Sequence, residues 1–186
     1  MQTLIVENRA DVDNAVAACI FQTDLGWFGL RGTENGLTAL TFGHAGRTDV
    51  VRVLRQDAEE GDLPRWMEHA VELLQQFSRG ESVDLTEIPL DISHRTPFER
   101  RVREQLARIG YGQTISYGEL AAAAGKPGAA RAVGTVMSKN PVPLVIPCHR
   151  VLAAGGKLGG YSAPSGLAMK RRLLDMESLA CGQSRE

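Results

Sequence analysis

Two strand-like runs of apolar residues, 27–32 and 37–42, flank Glu34-Asn35-Gly36 in the first half of the chain. Asn-Gly between two such runs is a strong hairpin signal, because both residues tolerate the positive φ of a tight turn. Residues 17–22 are apolar enough to prolong the first of these strands. Helical spacing follows. Val50, Val51, Val53 and Leu54 mark a short amphipathic helix with Thr48 as its N-cap. Trp66, Val71, Leu74 and Phe77 mark a second, ended by Gly80. Between 81 and 95, Ser, Asp, Thr and Pro scatter without period, which predicts an extended linker.

The second half is better punctuated. Thr96-Pro97-Phe98-Glu99 is a capping box with proline at the first helical position, predicting a helix to about Ile109. Ser116-Tyr117-Gly118-Glu119 is another, opening a short helix over 118–124 that Gly125 stops. Lys126-Pro127-Gly128 turns the chain, and a further helix over 129–138 ends before Asn140-Pro141. Two short helices joined by a tight Gly/Pro turn form a helix-turn-helix pattern. The second of them begins with Ala129, Ala130 and Arg131 and continues through Gly134 and Thr135. Residues this small let a backbone lie close to a surface.

Charge sharpens this division. The chain of 186 residues carries a net −1, yet residues 1–92 sum to −9 and residues 93–186 to +8. An acidic half joined to a basic half is expected when only the basic half meets a polyanion such as DNA. We therefore place the boundary at 92/93, with an α/β domain and linker before it and a DNA-binding domain after it. An apolar content of 43% provides a core without staples. Cys19, Cys148 and Cys181 form no Cys-x-x-Cys pair, which argues against a disulfide framework or thiolate zinc site and for a reducing compartment. No run approaches the roughly 20 apolar residues of a membrane span, so a cytoplasmic location is expected.

The chemistry gathers in 140–151. An apolar Val145-Ile146-Pro147 run delivers Cys148, and His149 and Arg150 follow at once. Cationic or proton-accepting neighbours favour the thiolate, which is the form that attacks. Adjacent residues of a strand point opposite ways, so Cys148 and His149 can cooperate only if the chain bends, and Pro147 forbids a regular central strand there. These residues read as a reactive cysteine with a base, leaving Glu177 and Asp175 as alternative acids to orient the imidazole.

Pro147-Cys148-His149-Arg150-Val151 preceded by Asn140-Pro141-x-Pro143 resembles the hallmark of the O6-alkylguanine-DNA alkyltransferase family. The similarity runs from about Thr96 to Glu177 and takes in Ile115-Ser116-Tyr117, 129–134, Gly160-Tyr161-Ser162 and 173–177. The resemblance implies a ribonuclease-H-like α/β N-terminal domain and a helical C-terminal domain with a winged helix-turn-helix. It implies irreversible transfer of an alkyl group from O6-alkylguanine, less readily O4-alkylthymine, in double-stranded DNA to Cys148. A monomer acting without a cofactor is expected, in the cytoplasm near the nucleoid, or in the nucleus of a eukaryote.

By the same resemblance His149 acts as base through a water, Glu177 orients it, Asn140 braces the turn, and Tyr117 donates to guanine N3. The Val151 carbonyl and Ser162 amide read the base edge, while Tyr161, Met137 and Pro143 line the pocket. Arg131 enters the duplex where the damaged nucleotide leaves, and Ala129, Ala130, Gly134 and Thr135 lie along the minor groove. Some members bind zinc in the N-terminal domain, but Cys19, His44, His69 and His94 lack that spacing, and no structural metal is expected. The segment bacterial dual-function sensors use to bind metal is also missing. Ala163-Pro164-Ser165 lengthens the loop after Tyr161 relative to some members. Alkyltransferase-like proteins, which bind lesions without repair, carry tryptophan where Cys148 stands here.

Overall fold

In a computed structural model, which describes residues 5–6, 9–11, 14–55, 63–94 and 96–182, the chain divides into two units, Met1–Ile92 and Ser93–Glu186. The first is built on an antiparallel sheet. Strands β1 (Ile5–Val6) and β2 (Arg9–Asp11) pair with β3 (Asn14–Thr23), which continues into β4 (Gly26–Thr33) and β5 (Gly36–His44). The segment 17–22 is thus a strand of its own and not an extension of β4. The hidden feature is a two-residue turn, Asp24-Leu25. It is closed by the Thr23 Oγ1 bond to the Gly26 carbonyl at 3.0 Å and opened on the far side by Gly26 at φ 100°. Leu25 is buried in that turn, an apolar residue where a turn is expected to be polar.

The Asn-Gly hairpin forms with Glu34-Asn35 as its loop and Gly36 paired opposite Thr33. Helix α1 (Arg47–Leu54) starts from Gly46 with no side-chain cap, which places Thr48 inside the first turn and not at the cap. It packs Val50 and Leu54 against Ile20, over a strand where a Cβ on Gly29 would lie 2.3 Å from Val50. Helix α2 (Arg65–Ser78) ends before Gly80, which takes φ 86°. The expected linker is in part built structure. Asp84 caps a 3-10 turn over Leu85–Glu87, Leu85 and Ile88 are buried, and Leu37 exchanges hydrogen bonds with Pro89 and Asp91. Isolated apolar residues, too sparse to show a period, anchor this stretch to the sheet.

The second unit is mainly helical. Helix α3 (Pro97–Ala107) is capped by Thr96, which accepts from the Glu99 amide at 3.1 Å. The Glu99 carboxylate pairs with buried Arg103 at 2.7 Å, and Arg103 also donates to the Ser93 and Lys139 carbonyls. Strand β6 (Ile115–Ser116) leads into α4 (Tyr117–Ala123), where the Ser116–Glu119 capping box is complete, with bonds of 3.1 and 2.8 Å. After Gly125 and Gly128, both at positive φ, α5 (Ala130–Ser138) packs on α4 as the expected helix-turn-helix. Strand β7 (Val151–Leu152) runs parallel to β6, pairing Ile115 with Val151. Helix α6 (Gly166–Ala180) closes the unit. Its buried stripe mixes Met169, Leu173 and Leu174 with three polar residues, Lys170, Glu177 and Ser178.

Candidate active site

Residues 140–147 form a looped turn that holds the thiol in place. The Asn140 amide donates to the Ile146 carbonyl at 2.7 Å while its oxygen accepts from the Val142 amide at 3.3 Å. Leu144 sits at φ 72°, a conformation costly for a residue with a Cβ, so the surrounding bonds must enforce it. The chain then bends at Pro147 into a 3-10 turn over Cys148–Arg150. That bend lets Cys148 and His149 serve one site. Cys148 is only 8% exposed. Burial pushes its thiol pKa up, and the Asn140 amide, the Lys170 charge and the local backbone N–H groups pull it back.

Glu177 is the hub. Fully buried, it takes His149 Nε2 at 2.8 Å and Arg150 Nη2 at 2.8 Å on Oε1, and the Gly112 amide at 3.1 Å on Oε2. Burial alone would raise its pKa, but the bonds and charges of His149 and Arg150 outweigh it and hold the carboxyl at about 2. It is therefore a carboxylate at neutral pH, able only to accept. His149 is driven down by burial, partly offset by Glu177, and is neutral there. A neutral ring facing a carboxylate through Nε2 carries its hydrogen on Nε2, so Nδ1 is the proton acceptor.

Two tyrosines face the same charge. Tyr117, placed by the β6–β7 pairing, lies so close to Gly159 that a Cβ there would sit 3.1 Å from its ring, and a Cβ on Gly134 would sit 3.9 Å from it. Burial and the Cys148 charge raise its pKa. Tyr161 is raised further by burial, Cys148 and Glu177, and its buried hydroxyl has no hydrogen-bond partner among the described residues. Both stay protonated at neutral pH and are available as donors.

The structure thus gathers Cys148, His149, Glu177, Asn140, Tyr117 and Tyr161. Val151 joins them through β7, where its carbonyl accepts from Lys170 Nζ at 2.6 Å. Asp175 is exposed on α6, two residues from Glu177 and on the other side of the helix. Met137 is buried in α5, Pro143 is half-buried beside Ile146, and Ser162 is exposed. Arg131 and Thr135 are exposed on α5, with Ala129, Ala130 and Gly134 partly so. Sequence reasoning missed three participants: Lys170, the Arg150 clamp on Glu177, and Gly112. For Lys170 a signal existed, since 170, 174 and 177 share one helical face. Among the described residues no group of three His, Cys, Asp or Glu side chains is placed to hold a metal ion, and no helix is long and apolar enough to cross a membrane.

Residues 97–179 match the family model described as 6-O-methylguanine DNA methyltransferase, DNA binding domain. A methylated-DNA–protein-cysteine methyltransferase of Mycobacterium tuberculosis is 41% identical over 141 residues, 73% of this chain and 82% of its own. The human protein of that name is 36% identical over 181 residues, 93% and 86% of the two chains. The crystal structure of Mycobacterium tuberculosis OGT in complex with DNA superimposes with a TM-score of 0.70 at 36% identity, over 87% of this chain and 92% of that one. Identity of this extent, spanning the buried Cys148–His149–Glu177 array, means that the chain belongs to the methylated-DNA–protein-cysteine methyltransferase family.

Proposed function

We propose that the protein repairs DNA by moving the alkyl group of O6-alkylguanine, and less readily O4-alkylthymine, onto Cys148 Sγ, each molecule acting once. The observation that carries this reading is the buried Cys148–His149 turn backed by an ionised Glu177. His149 Nδ1 takes the thiol proton, through one water, and the thiolate attacks the alkyl carbon in line. The S–C bond forms as the C–O6 bond breaks, and the electron pair leaves on guanine. Tyr117, held protonated, supplies the proton or hydrogen bond that guanine N3 then needs. The Val151 carbonyl and Ser162 amide read the base edge, and Tyr161, Met137 and Pro143 line its pocket. A thioether is not hydrolysed at useful rates, so the protein is consumed.

A thiol this buried cannot reach a stacked base. The nucleotide must swing out, which costs a few kcal/mol in duplex DNA and less at a lesion that pairs badly. Arg131, exposed on α5, is suited to fill the gap, and the small residues Ala129, Ala130 and Gly134 allow the helix to approach a minor groove. Unit 93–186, with its +8 charge, then acts as the transfer and DNA-binding domain, beside a ribonuclease-H-like domain in residues 1–92 of the sequence. The reading is that of a monomer, since the proposed reaction needs no second copy of the chain. The need for a reduced thiol favours the cytoplasm near the nucleoid, or the nucleus of a eukaryote.

Incubation with duplex DNA containing O6-methylguanine should add one methylene to the intact mass at one-to-one stoichiometry, mapped to the Cys148 peptide. Turnover beyond one equivalent, or binding with no gain in mass, contradicts the reading. Arg131→Ala should slow repair of duplex by about tenfold or more, the kinetic equivalent of losing a little over 1 kcal/mol of extrusion support, while free O6-benzylguanine reacts as before. Equal slowing on both substrates would remove Arg131 from the finger role.

A further inference from the structure

Between α3 and β6 the chain runs Ile109-Gly110-Tyr111-Gly112-Gln113, a segment that holds none of the groups proposed to react. It is closed on itself: the Gln113 amide donates to the Gly110 carbonyl at 3.1 Å, and the Gln113 side-chain oxygen accepts from the Gly110 amide at 3.1 Å. Three of its groups nevertheless converge on the Arg150–Glu177 pair. The Ile109 carbonyl accepts from Arg150 Nη1 at 2.6 Å, the Tyr111 ring centre lies 5.8 Å from the Arg150 guanidinium carbon, and the Gly112 amide donates to Glu177 Oε2 at 3.1 Å. Only glycine fits position 112. Its φ is 73°, and an added Cβ would lie 2.7 Å from Cys181 Sγ. Ile109, Gly112 and Gln113 also line a cavity of about 530 Å³, which leaves the segment room to shift.

The contacts on Glu177 are asymmetric. Oε1 accepts from His149 Nε2 at 2.8 Å, while Oε2 accepts from the Gly112 amide at 3.1 Å. Arg150 bonds to both oxygens, at 2.8 and 3.2 Å to Oε1 and 3.0 Å to Oε2, so it does not by itself tell them apart. The Gly112 amide does, because it reaches one oxygen. We propose that the 109–112 segment is a positioning element for alkyl transfer, with the Gly112 amide fixing the Glu177 carboxylate so that Oε1 faces His149. The inference rests on Cys148 being the nucleophile and His149 its base. Its consequence falls on the imidazole. A carboxylate held in this plane keeps the ring hydrogen on Nε2 and leaves Nδ1 to take the thiol proton. Without the Gly112 N–H the carboxylate turns about its last side-chain bond and its hold on Nε2 weakens. The ring then samples the tautomer protonated at Nδ1, which has no lone pair for the thiol proton. The segment acts through Glu177 and Arg150 and takes no part in bond making.

Two changes test this. In one, the peptide N–H of Gly112 is replaced by an ester oxygen, which deletes the donor and adds no side chain. In the other, Gly112→Ala drives a Cβ against Cys181 and pushes the segment off the acid. Each protein is mixed with increasing O6-benzylguanine, and benzylation of Cys148 is followed by mass. Isotope-labelled histidine reports the His149 ring tautomer by NMR. In both variants the maximal rate should fall by about tenfold or more at an unchanged half-saturating concentration, and the ring should pass from a single Nε2–H form to a mixture. Cys181→Ala, which alone should react at the wild-type rate, should restore most of the loss in Gly112→Ala by clearing the space. A segment that merely stabilises the fold would lower the urea midpoint and leave rate and tautomer at their wild-type values, and that outcome overturns the proposal. Should Gly112→Ala fail to fold, the ester variant decides. If wild-type Cys148 takes up no benzyl group, the proposed function has failed; if it does and the variants match it, only the role of Gly112 has.

Discussion

Cys148→Ala is expected to leave a folded protein that binds O6-methylguanine duplex and never gains mass. The loss should be complete, because the other thiols cannot substitute. Cys19 lies fully buried in the N-terminal sheet, where desolvation pushes its pKa up to about 12, so its thiolate population at neutral pH is negligible. Cys181 is exposed beyond the end of α6, with its thiol bonded to none of the groups gathered around Cys148. Removing one largely buried sulfur leaves a void smaller than those of Leu→Ala changes, and should cost no more than about 1–2 kcal/mol. The DNA contact proposed for α5 does not depend on the thiol. Intact mass and a gel-shift titration on the same lesion duplex measure both halves of this expectation. A methylene found on the variant would mean that the nucleophile lies elsewhere; lesion binding lost with the fold intact would mean that the sulfur is part of the recognition surface.

The second large effect belongs to Glu177→Gln. A buried carboxylate that accepts from His149, Arg150 and the Gly112 amide cannot be replaced by an amide without turning one of its oxygens into a donor that meets other donors. Arg150 is then left in the interior without its counter-charge. Breaking a buried pair in this way costs about 3–5 kcal/mol, to be read as a fall in the urea midpoint with the slope unchanged. Alkyl transfer should fall by about 100-fold or more, since the imidazole loses the group that fixes its tautomer. Acid offers an independent check on the wild type. A carboxyl held near 2 when folded and about 4.3 when unfolded contributes on the order of 3 kcal/mol above pH 5, and loses it as the pH falls from 5 to 2. That slope should flatten in Glu177→Gln. A variant with wild-type urea midpoint and wild-type acid slope would remove Glu177 from the hub.

Much of the secondary structure was legible because it rests on local rules. The Ser116–Glu119 box and the Thr96 cap are decided by residues three apart, and each stands where local chemistry puts it, while the Asn35-Gly36 signal marks the right hairpin but its loop is Glu34-Asn35. The failures share a cause as well. Asp24-Leu25 turns the chain with a buried leucine, which no composition rule flags, and the 85–91 stretch is ordered by packing on α2 and by the bonds of Pro89 and Asp91 to Leu37, which a scattered pattern does not reveal. Thr48 had the right side chain for a cap but lies one residue inside a helix that begins at Arg47.

The site divides in the same way. That Cys148 is reactive and His149 its partner could be read from adjacent letters, because Pro147 forces the bend that brings both into one turn. The family likeness extended this to Glu177 and Tyr117, which lie 29 residues beyond Cys148 and 31 before it. The chain alone thus pointed to the groups proposed to react. Whether Glu177 or Asp175 meets the imidazole, whether Arg150 clamps that acid, and whether Lys170 is a surface charge or a buried cation held by the Val151 carbonyl were decided only by the packing of α6 against the 3-10 turn and β7. The reason is physical: a charge acquires its strength from the water removed around it and from the partners that replace that water, and both are properties of three-dimensional neighbours.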